Sequence, residues 1–349
     1  MNYILCDPIN IEKYYPFTFT RPFAEMRVFG GTIKDQWEKL LGSKVSYLTR
    51  SYLSKLYPVK WKVGKNIIIF SDSPIDLDLA ETYELDVTQE DIDSKRIWIQ
   101  EEKLLKKGYD FQKSLSDFLD MSNFLNHVKS NIDCSSNPFL NDDDGPILIE
   151  DGVTIMEGAM IRGPVHICKG SVIKMGAKIY GPTIVGPYCK ISGEVSNSIF
   201  LGYSNKAHDG FLGHSIIGEW CNIGAGTSNS NLKNNYETVK IWDYSETKFK
   251  DSKQQFLGLY MGDHTKCAIN TSFNTGTTVG VNCNIFGAGF PRNYIPSFSW
   301  GGYSGYKEYD IEKALQTAKI VMKRRGLNMS SEYQKMLQEV FSMTASFRK

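Results

Sequence analysis

From residue 149 onward the chain repeats with a period of six. An α-helix returns to one face every 3.6 residues and a simple strand every 2, so neither explains this spacing. The pattern predicts hexapeptide repeats in which three short strands and their turns close each coil of a parallel β-helix. We expect aliphatic side chains to fill the bore and small residues to occupy the corners. The aliphatic positions are Ile149, Ile155, Ile161, Ile167, Ile173, Ile179, Val185 and Ile191.

The phase of this repeat then shifts twice. A second frame places Ile199, Phe211, Ile217 and Ile223 in the bore, with Asn205 in the gap. The shifts predict loops ejected from the coil near residues 192–198 and 229–256, and insertions of this kind often build the functional site of a solenoid. A third frame contains Met261, Cys267, Phe273, Val279 and Ile285.

The parts of the chain before and after the repeat show different sequence patterns. Of 30 glycines, 23 fall between residues 149 and 305, which separates the repeat from what precedes it. Residues 1–130 alternate short strands and a helix, which predicts an α/β domain, and 131–148 reads as a linker. The β-helix is predicted over 149–295. Helical patterns near 311–325 and 331–347 predict that 296–349 caps its open end.

Composition excludes several classes of protein. The 349 residues carry a net charge of +1, so no global field attracts nucleic acid or acidic lipid. No apolar run is long enough to cross a membrane, and the N-terminus does not read as a signal peptide. Seven scattered cysteines without a CxxC pair predict a reducing cytoplasm and indicate neither a disulfide framework nor a zinc site.

Chemistry is most concentrated in residues 205–236. His208 and His214 lie beside a phase shift, and an imidazole is the natural general base near neutral pH. The turn from Ile223 to Thr227 exposes backbone N–H groups with little side-chain bulk. Polar groups suited to a phosphosugar surround it at Lys206, Asn222, Asn231 and Lys233.

Residues 208–231 resemble the acetyltransferase segment of the bifunctional N-acetylglucosamine-1-phosphate uridyltransferase/glucosamine-1-phosphate acetyltransferase family of bacteria. The register matches without a gap, from the histidine through the Asn-Ile-Gly-Ala-Gly-Thr turn to the downstream asparagine. The resemblance implies that His208 is the general base, with His214 in reserve, and that acetyl-CoA binds near the turn. It implies sugar contacts at Asn222 and Asn231 and acetyl-CoA contacts at Ala225 and Gly226.

One departure leaves the acceptor sugar open. The family has Tyr three residues after the catalytic histidine, and this chain has Phe211. The basic residues that hold the sugar phosphate do not align, so Lys190 and Lys206 are candidates only. The resemblance further implies a left-handed β-helix and a homotrimer whose acyl sites lie between neighbouring β-helices.

The N-terminal part resembles the divergent sugar nucleotidyltransferase-like domain fused to such β-helices. The matching segments are Ile4–Asp7, Pro16–Val28 and Trp37–Gly42. The usual Gly-rich loop followed by Pro-Lys is absent. Arg21 is therefore the candidate for holding nucleotide phosphate, and Asp7 is a second candidate nucleotide-binding residue. Asp72 follows an apolar strand and is the candidate Mg²⁺ ligand.

Three functions therefore remain open. The first is acetyl transfer from acetyl-CoA to an amino-sugar phosphate in nucleotide-sugar synthesis. The second is sugar-1-phosphate nucleotidyl transfer from UTP or dTTP with Mg²⁺, the β-helix serving trimer assembly. The third is a non-catalytic trimer that binds a sugar nucleotide.

Overall fold

The computed structural model describes residues 1–93, 103–105, 125, 128–132, 134 and 139–348, so most of the later part of the predicted domain 1–130 lies outside the described residues. The first part is an α/β sheet with the strand order β4-β1-β5-β6, in which only β6 is antiparallel. Its elements are β1 (Asn2–Cys6), β2 (Arg27–Val28), β3 (Gly31–Thr32), α1 (Ile33–Leu41), β4 (Ser46–Leu48), β5 (Gly64–Phe70), β6 (Thr82–Val87) and α2 (Gln89–Asp93).

Helix α1 shows why the sequence folds this way locally. The Thr32 side chain accepts a hydrogen bond from the Asp35 N–H while the Asp35 carboxylate accepts one from the Thr32 N–H. This capping box satisfies backbone donors that the first turn leaves open. The helix ends at Gly42, whose left-handed φ of +61° suits glycine. Between β1 and β2 lie three short 3₁₀ turns, Ile11–Tyr14, Phe17–Phe19 and Phe23–Glu25.

The second part is a β-solenoid with three parallel faces. The five-stranded face contains β7 (Leu140–Asn141), β10 (Met160–Arg162), β13 (Lys178–Tyr180), β16 (Glu194–Ser196) and β19 (Phe211–Gly213). The eight-stranded face contains β8 (Ile147–Ile149), β11 (Val165–Ile167), β14 (Thr183–Val185), β17 (Ile199–Gly202), β20 (Ile216–Glu219), β25 (Leu259–Met261), β28 (Thr277–Val279) and β30 (Tyr294–Ile295). The nine-stranded face contains β9 (Thr154–Ile155), β12 (Val172–Ile173), β15 (Lys190–Ile191), β18 (Asn205–Lys206), β21 (Asn222–Ile223), β26 (Lys266–Cys267), β29 (Asn284–Ile285), β31 (Ser299–Gly302) and the antiparallel β32 (Gly305–Glu308).

Four further strands form two separate two-stranded sheets. Strand β22 (Ser228–Asn229) pairs with β27 (Ser272–Phe273) and continues the five-stranded face. Strands β23 (Lys240–Asp243) and β24 (Lys248–Asp251) form an antiparallel hairpin in the predicted loop 229–256, which is confirmed as an insertion between coils. Along the chain, a strand of the five-stranded face is followed by one of the eight-stranded face and then by one of the nine-stranded face. We name each corner by the two faces that it connects: the five/eight corner, the eight/nine corner and the nine/five corner, which leads into the next coil.

The bore confirms the first and third predicted frames. Ile161, Ile167 and Ile179 are almost fully buried in a single apolar cluster that runs through the solenoid to Ile285. The third frame joins it in register, because Ile217 pairs with Met261. Pairing begins earlier than predicted, since β7 already pairs with β10 inside the stretch 131–148 assigned to a linker.

The second frame is wrong by one residue at three positions. The bore there contains Phe200, Lys206 and Leu212, which pair with the bore residues Val185, Ile191 and Val195. The pairing from Ile167 to Val185 advances 18 residues, whereas that from Val185 to Phe200 advances 15. The phase shift near 192–198 therefore comes from a shortened coil and not from the predicted ejected loop. The residues predicted for the bore, Ile199, Asn205 and Phe211, are displaced to outward positions.

The N-terminal domain covers the eight-stranded face. The outward residues Ile184, Ile199, Ile216 and Tyr260 follow one another in register on this face, and each is fully buried. They share an apolar cluster with aromatic side chains of the N-terminal part, among them Phe17, whose ring centroid lies 6.1 Å from that of Tyr260. Burial of this face fixes the two parts against each other.

Two C-terminal helices are confirmed, α3 (Ile311–Lys323) and α4 (Ser331–Met343), followed by a 3₁₀ turn over Ala345–Arg348. They pack beside the solenoid, because their buried residues share a cluster with Phe19 and Phe298 rather than with the bore. Among the described residues it is Tyr306 of β32 that packs against the last part of the bore. No helix in the described ranges is both long and apolar enough to span a bilayer.

Candidate functional site

The nine/five corner brings His208 and the Ala225–Gly226 turn onto successive coils. The Gly226 N–H donates to the Asp209 carbonyl over 2.9 Å, so the turn lies directly against the residue that follows His208. Gly226 has a φ of +71°, in the left-handed region, and a Cβ there would clash with the Asn270 side chain, so this turn favours glycine. His208 is exposed, and in the described part of the chain no hydrogen bond or ion pair involves its imidazole.

Lys206, predicted to contact substrate phosphate, lies inside the bore. Its side chain is 1% exposed and its ammonium donates to the His208 carbonyl over 2.5 Å. Burial lowers the pKa of Lys206 to about 8, against the opposing effect of Asp209. An ammonium enclosed in this way cannot reach a ligand outside the coil, so the prediction of substrate contact at Lys206 is corrected. Lys206 instead holds the backbone at His208.

Two other predicted substrate residues lie on the nine-stranded face. Asn222 and Lys190 are exposed, and Asn205 connects them, since it pairs with Lys190 and donates to Asn222 Oδ1 over 3.3 Å. Arg325 reaches this row from the end of α3 and donates to Asn205 Oδ1 over 2.7 Å. Sequence reasoning missed Arg325 because its position depends on how the helix packs, 120 residues away along the chain.

Asn231 lies at the five/eight corner with His214. Asn231 Nδ2 is 2.9 Å from His214 Nδ1, and the Phe256 ring stacks on the imidazole with centroids 5.2 Å apart. Burial lowers the pKa of His214, so this imidazole is held neutral at pH 7. The structure thus brings Asn231 together with the reserve base, His214, and places Asn222 and His208 elsewhere.

Phe211, where the family has Tyr, extends toward the same five/eight corner. A Cβ on Gly213 would lie 2.5 Å from the Phe211 ring and 2.8 Å from Asn231 Nδ2. The ring and the amide therefore both pack closely against Gly213. Phe211 is half-buried. The missing hydroxyl therefore leaves an apolar surface beside Asn231.

The predicted nucleotide site at the N-terminal sheet is occupied by the protein's own contacts. Asp7 follows β1 and is 2% exposed; its carboxylate accepts from the Phe23 N–H over 2.8 Å and from Arg50 Nε over 3.2 Å. Arg21 is 5% exposed and forms ion pairs with Asp263 and, over 3.0 Å, with Glu219 of the solenoid. Burial opposes the charge of Arg21, but the two carboxylates outweigh it and hold its pKa well above the usual value.

Asp72 follows β5 at the same carboxyl edge of the sheet and is 5% exposed. Phe70 of β5 pairs with Cys6 of β1, so Asp7 and Asp72 both follow closely on the ends of these two strands. Burial, and after it the two carboxylates, raise the pKa of the Cys6 thiol. Mg²⁺ binds through free carboxylate oxygens and retained waters. The Arg50 guanidinium already pairs with the Asp7 carboxylate over 3.2 Å, so Mg²⁺ would have to compete with this cation at Asp7. The role of Asp72 as a Mg²⁺ ligand stays a prediction.

Glu150, His166 and Cys168 form the one cluster of three possible metal ligands in the described ranges. The Gly30 N–H lies 3.2 Å from His166 Nδ1, which therefore accepts, and the ring proton is on Nε2. Nε2 then donates to Glu150 Oε1 over 2.8 Å. A metal on Nε2 would displace that proton, so the cluster is better explained as a hydrogen-bonded contact between the two parts of the chain.

Comparison with known proteins supports both parts of the predicted resemblance. Residues 3–82 match the family model described as sugar nucleotidyl transferase. The chain is similar to the bifunctional protein GlmU of Methanocaldococcus jannaschii, with 39% identity over 94 residues, 27% of this chain and 22% of that protein. It is also similar to a bifunctional sugar-1-phosphate nucleotidylyltransferase/acetyltransferase of Sulfurisphaera tokodaii, with 31% identity over 179 residues, 51% of this chain and 42% of that protein. The matches thus span less than half the length of these relatives.

Solved structures with a similar course of the chain include the polySia-specific acetyltransferase NeuO, at 12% identity and a TM-score of 0.32, covering 51% of this chain and 94% of that one. A UDP-N-acetylglucosamine acyltransferase from Campylobacter jejuni has 16% identity and a TM-score of 0.25, covering 58% and 94%. TM-scores this low carry no functional argument. The chain is therefore similar to GlmU-type bifunctional proteins, and it joins a segment that matches a sugar nucleotidyl transferase model to a hexapeptide-repeat β-solenoid.

Proposed function

We propose that the chain transfers an acetyl group from acetyl-CoA to the amine of an amino-sugar phosphate at the nine/five corner. One observation carries the proposal: an exposed imidazole, His208, lies one coil away from a glycine turn that leaves backbone accessible. The names of the bifunctional relatives include acetyl transfer. A thioester and an amine held together need little further activation, because orientation converts the reaction into an effectively unimolecular step.

In the proposed reaction the amine nitrogen attacks the thioester carbonyl and forms a C–N bond. His208 accepts the proton that the nitrogen loses, and the Ala225 N–H of the turn stabilises the oxyanion. The C–S bond then breaks, and the CoA thiolate takes up a proton from the imidazolium of His208. Lys206 contributes by fixing the backbone at His208 through its hydrogen bond to that carbonyl.

Lys190, Asn222 and Arg325 are proposed to bind the sugar phosphate. Lys190 and Asn222 are exposed on the nine-stranded face, which leads into the corner, and Arg325 adds a second cation there. A guanidinium and an ammonium that both border Asn205 suit a phosphorylated acceptor. Three large apolar side chains flank the corner and its neighbouring face, Met160, Met175 and Ile269, 45%, 64% and 69% exposed. They fit the trimer that the resemblance implies, which sedimentation velocity tests.

The direct test is release of free thiol from acetyl-CoA with glucosamine-1-phosphate and a panel of amino sugars. We expect acceptor-dependent release that falls by about 10²–10⁴-fold in kcat/KM in His208→Ala. His214→Ala is the matched control, because it removes an imidazole from the other edge of the same face. Full activity in His208→Ala together with loss in His214→Ala would move the base to the five/eight corner, and no release with any acceptor would exclude the proposal.

Sugar-1-phosphate nucleotidyl transfer remains the second candidate, because residues 3–82 match a sugar nucleotidyltransferase model. Asp7 and Asp72 stand at the carboxyl ends of adjacent parallel strands, the edge at which open α/β sheets bind ligands. The ion pairs of Arg21 and Asp7 argue against it, since both must break before phosphate or metal binds. Pyrophosphate release from UTP or dTTP with a sugar-1-phosphate tests this function, and tight binding of a sugar nucleotide without any product would favour a non-catalytic role.

A further inference from the structure

We propose that a groove beside the β23–β24 hairpin is a second ligand site, which takes a molecule containing a diphosphate. The groove lies at the five/eight corner, separate from the nine/five corner that contains His208. It has a volume of about 580 Å³, a size typical of small-molecule sites. The residues that argue for it are Lys233, Lys240, Phe249, Thr275, Arg292 and Tyr294.

The charge of the groove has one sign. Lys233, Lys240 and Arg292 all line it, and none of its lining residues is acidic. Lys233 is engaged within the protein, because its ammonium donates to the Thr238 carbonyl over 2.8 Å and lies 3.9 Å from the Glu237 carboxylate. In the described ranges neither Lys240 nor Arg292 makes an ion pair, and both are exposed. Like charges gathered in a concave surface attract an anion more strongly than scattered surface lysines do.

The hairpin that forms one wall is held in place by the N-terminal domain. Tyr244 at the hairpin turn is 5% exposed, and its ring meets those of Tyr15 and Phe19 edge-on at 5.6 and 5.5 Å. On the other side Trp242 stacks on Tyr294 with centroids 3.9 Å apart. The positions of Lys240 and Phe249 are therefore set by packing before a ligand arrives, which lowers the entropic cost of binding.

The groove also offers apolar surface next to the cations. The Phe249 ring is 42% exposed and Tyr294 is half-buried, so both present ring faces or edges to the space that Lys240 and Arg292 border. An aromatic wall beside several cations suits a phosphate joined to a flat or apolar group better than a lone inorganic anion. Two ligands relevant to the proposed function share this chemistry, CoA and a uridine nucleotide.

The test measures binding of UDP, CoA and inorganic phosphate to the full chain by isothermal titration calorimetry at low salt. We expect UDP or CoA to bind, with dissociation constants at least about tenfold weaker in Lys240→Gln and in Arg292→Gln. Lys248→Gln is the matched control, because it removes a charge from the same hairpin outside the groove and should leave binding within about twofold.

Binding of UDP alone identifies a nucleotide-bearing acceptor, binding of CoA alone identifies the donor, and mutual competition identifies a shared diphosphate position. Absence of binding by both, affinities unchanged in Lys240→Gln and Arg292→Gln, or inorganic phosphate binding as tightly as UDP would each overturn the proposal. The site rests on the proposed function only for the choice of probes. His208→Ala should bind UDP normally, so loss of turnover and loss of groove binding are separate results.

Discussion

The carboxyl edge of the N-terminal sheet and the nine/five corner of the solenoid are the two places where chemistry was predicted, and they hold their polar groups differently. At the sheet edge, Asp7 and Arg21 are almost fully buried, and each is bound by other groups of the protein. At the corner, His208 is exposed, its backbone carbonyl accepts a hydrogen bond from Lys206, and no residue of the described ranges forms a hydrogen bond or ion pair with its imidazole. Buried paired charges maintain structure, whereas an accessible imidazole is able to act on a ligand.

The comparison teaches that a match in sequence to an enzyme family does not make a segment available for catalysis. The stretch from Asp7 to Phe29 contains no glycine, and its aromatic residues fill the interface with the solenoid. In that stretch Thr20 donates to Asp263 over 2.7 Å beside the Arg21 ion pair. The loop thus joins the two parts of the chain with residues that the resemblance assigned to phosphate binding.

The largest expected effect is on stability at Arg21. In Arg21→Ala the carboxylate of Asp263, fully buried, loses its cation, and breaking a buried pair in this way costs about 3–5 kcal/mol. We expect the free energy of unfolding to fall by that amount in urea titrations monitored by circular dichroism. Arg162→Ala removes an exposed arginine paired with Asp144 and should leave the urea midpoint unchanged.

If Arg21→Ala unfolds the chain outright, Asp263→Asn provides the alternative, since it keeps the shape and removes the negative charge. An unfolding free energy unchanged in both variants, with loss of nucleotide binding in Arg21→Ala, would show that Arg21 serves a ligand. The comparison between the two regions would then be reversed.

A smaller change, an increase in the free energy of unfolding, is expected when Lys206 is replaced. Below pH 8 the folded protein holds a charged ammonium in the bore, so replacement by an apolar chain in Lys206→Met should stabilise it by roughly 1–2 kcal/mol at pH 7. The gain should shrink as the pH rises from about 8 to 10.5, because folded Lys206 is then neutral while the unfolded chain still binds the proton. Lys178→Met, an exposed lysine on the five-stranded face, is the control.

Thermal unfolding across pH 7–10 measures this difference, and acceptor KM measured on the same variant tests the earlier prediction for Lys206. An unchanged KM agrees with its place in the bore. A KM raised tenfold or more, without a change in kcat, would return Lys206 to the substrate site.

The smallest expected effect is the loss of stability at acidic pH that His264 causes. His264 is 1% exposed, and burial, with Lys266 and Arg21 nearby, lowers its pKa well below the usual value. As the pH falls from about 6.5, the unfolded chain takes up a proton that folded His264 does not, so stability falls by at most about 1.4 kcal/mol per pH unit. His264→Gln should flatten this dependence between pH 7 and 5.5 in thermal melts.

The control for this prediction is Tyr333→Phe, which removes the hydroxyl 2.9 Å from His264 Nε2 and keeps the imidazole buried. It should retain the pH dependence of the native chain. Equal slopes in the native chain and in His264→Gln would mean that the acid sensitivity originates elsewhere.

Most of the fold was predicted from the six-residue spacing of aliphatic side chains. Two adjacent large apolar residues recur on the eight-stranded face, at 184–185, 199–200, 216–217 and 260–261, one directed to the bore and one to the N-terminal domain. The paired apolar residues indicate that both sides of this face are buried, and the prediction from the six-residue repeat did not include the outer side. The one-residue error at Lys206 had no such local signal, because the shortened coil is recognisable only from the strand with which each residue pairs.

By itself the sequence determined the solenoid, the position of its inserted hairpin and the glycine turn at 225–226, because each depends on residues within a few positions of one another. Only the tertiary structure decided which side chains are available: it enclosed Lys206, paired Arg21 with a carboxylate 242 residues away, brought Arg325 to Asn205 and placed Asn231 beside His214. Those contacts join parts of the chain that no local pattern connects, and burial together with charge pairing, not residue type, decides whether a group is free to act.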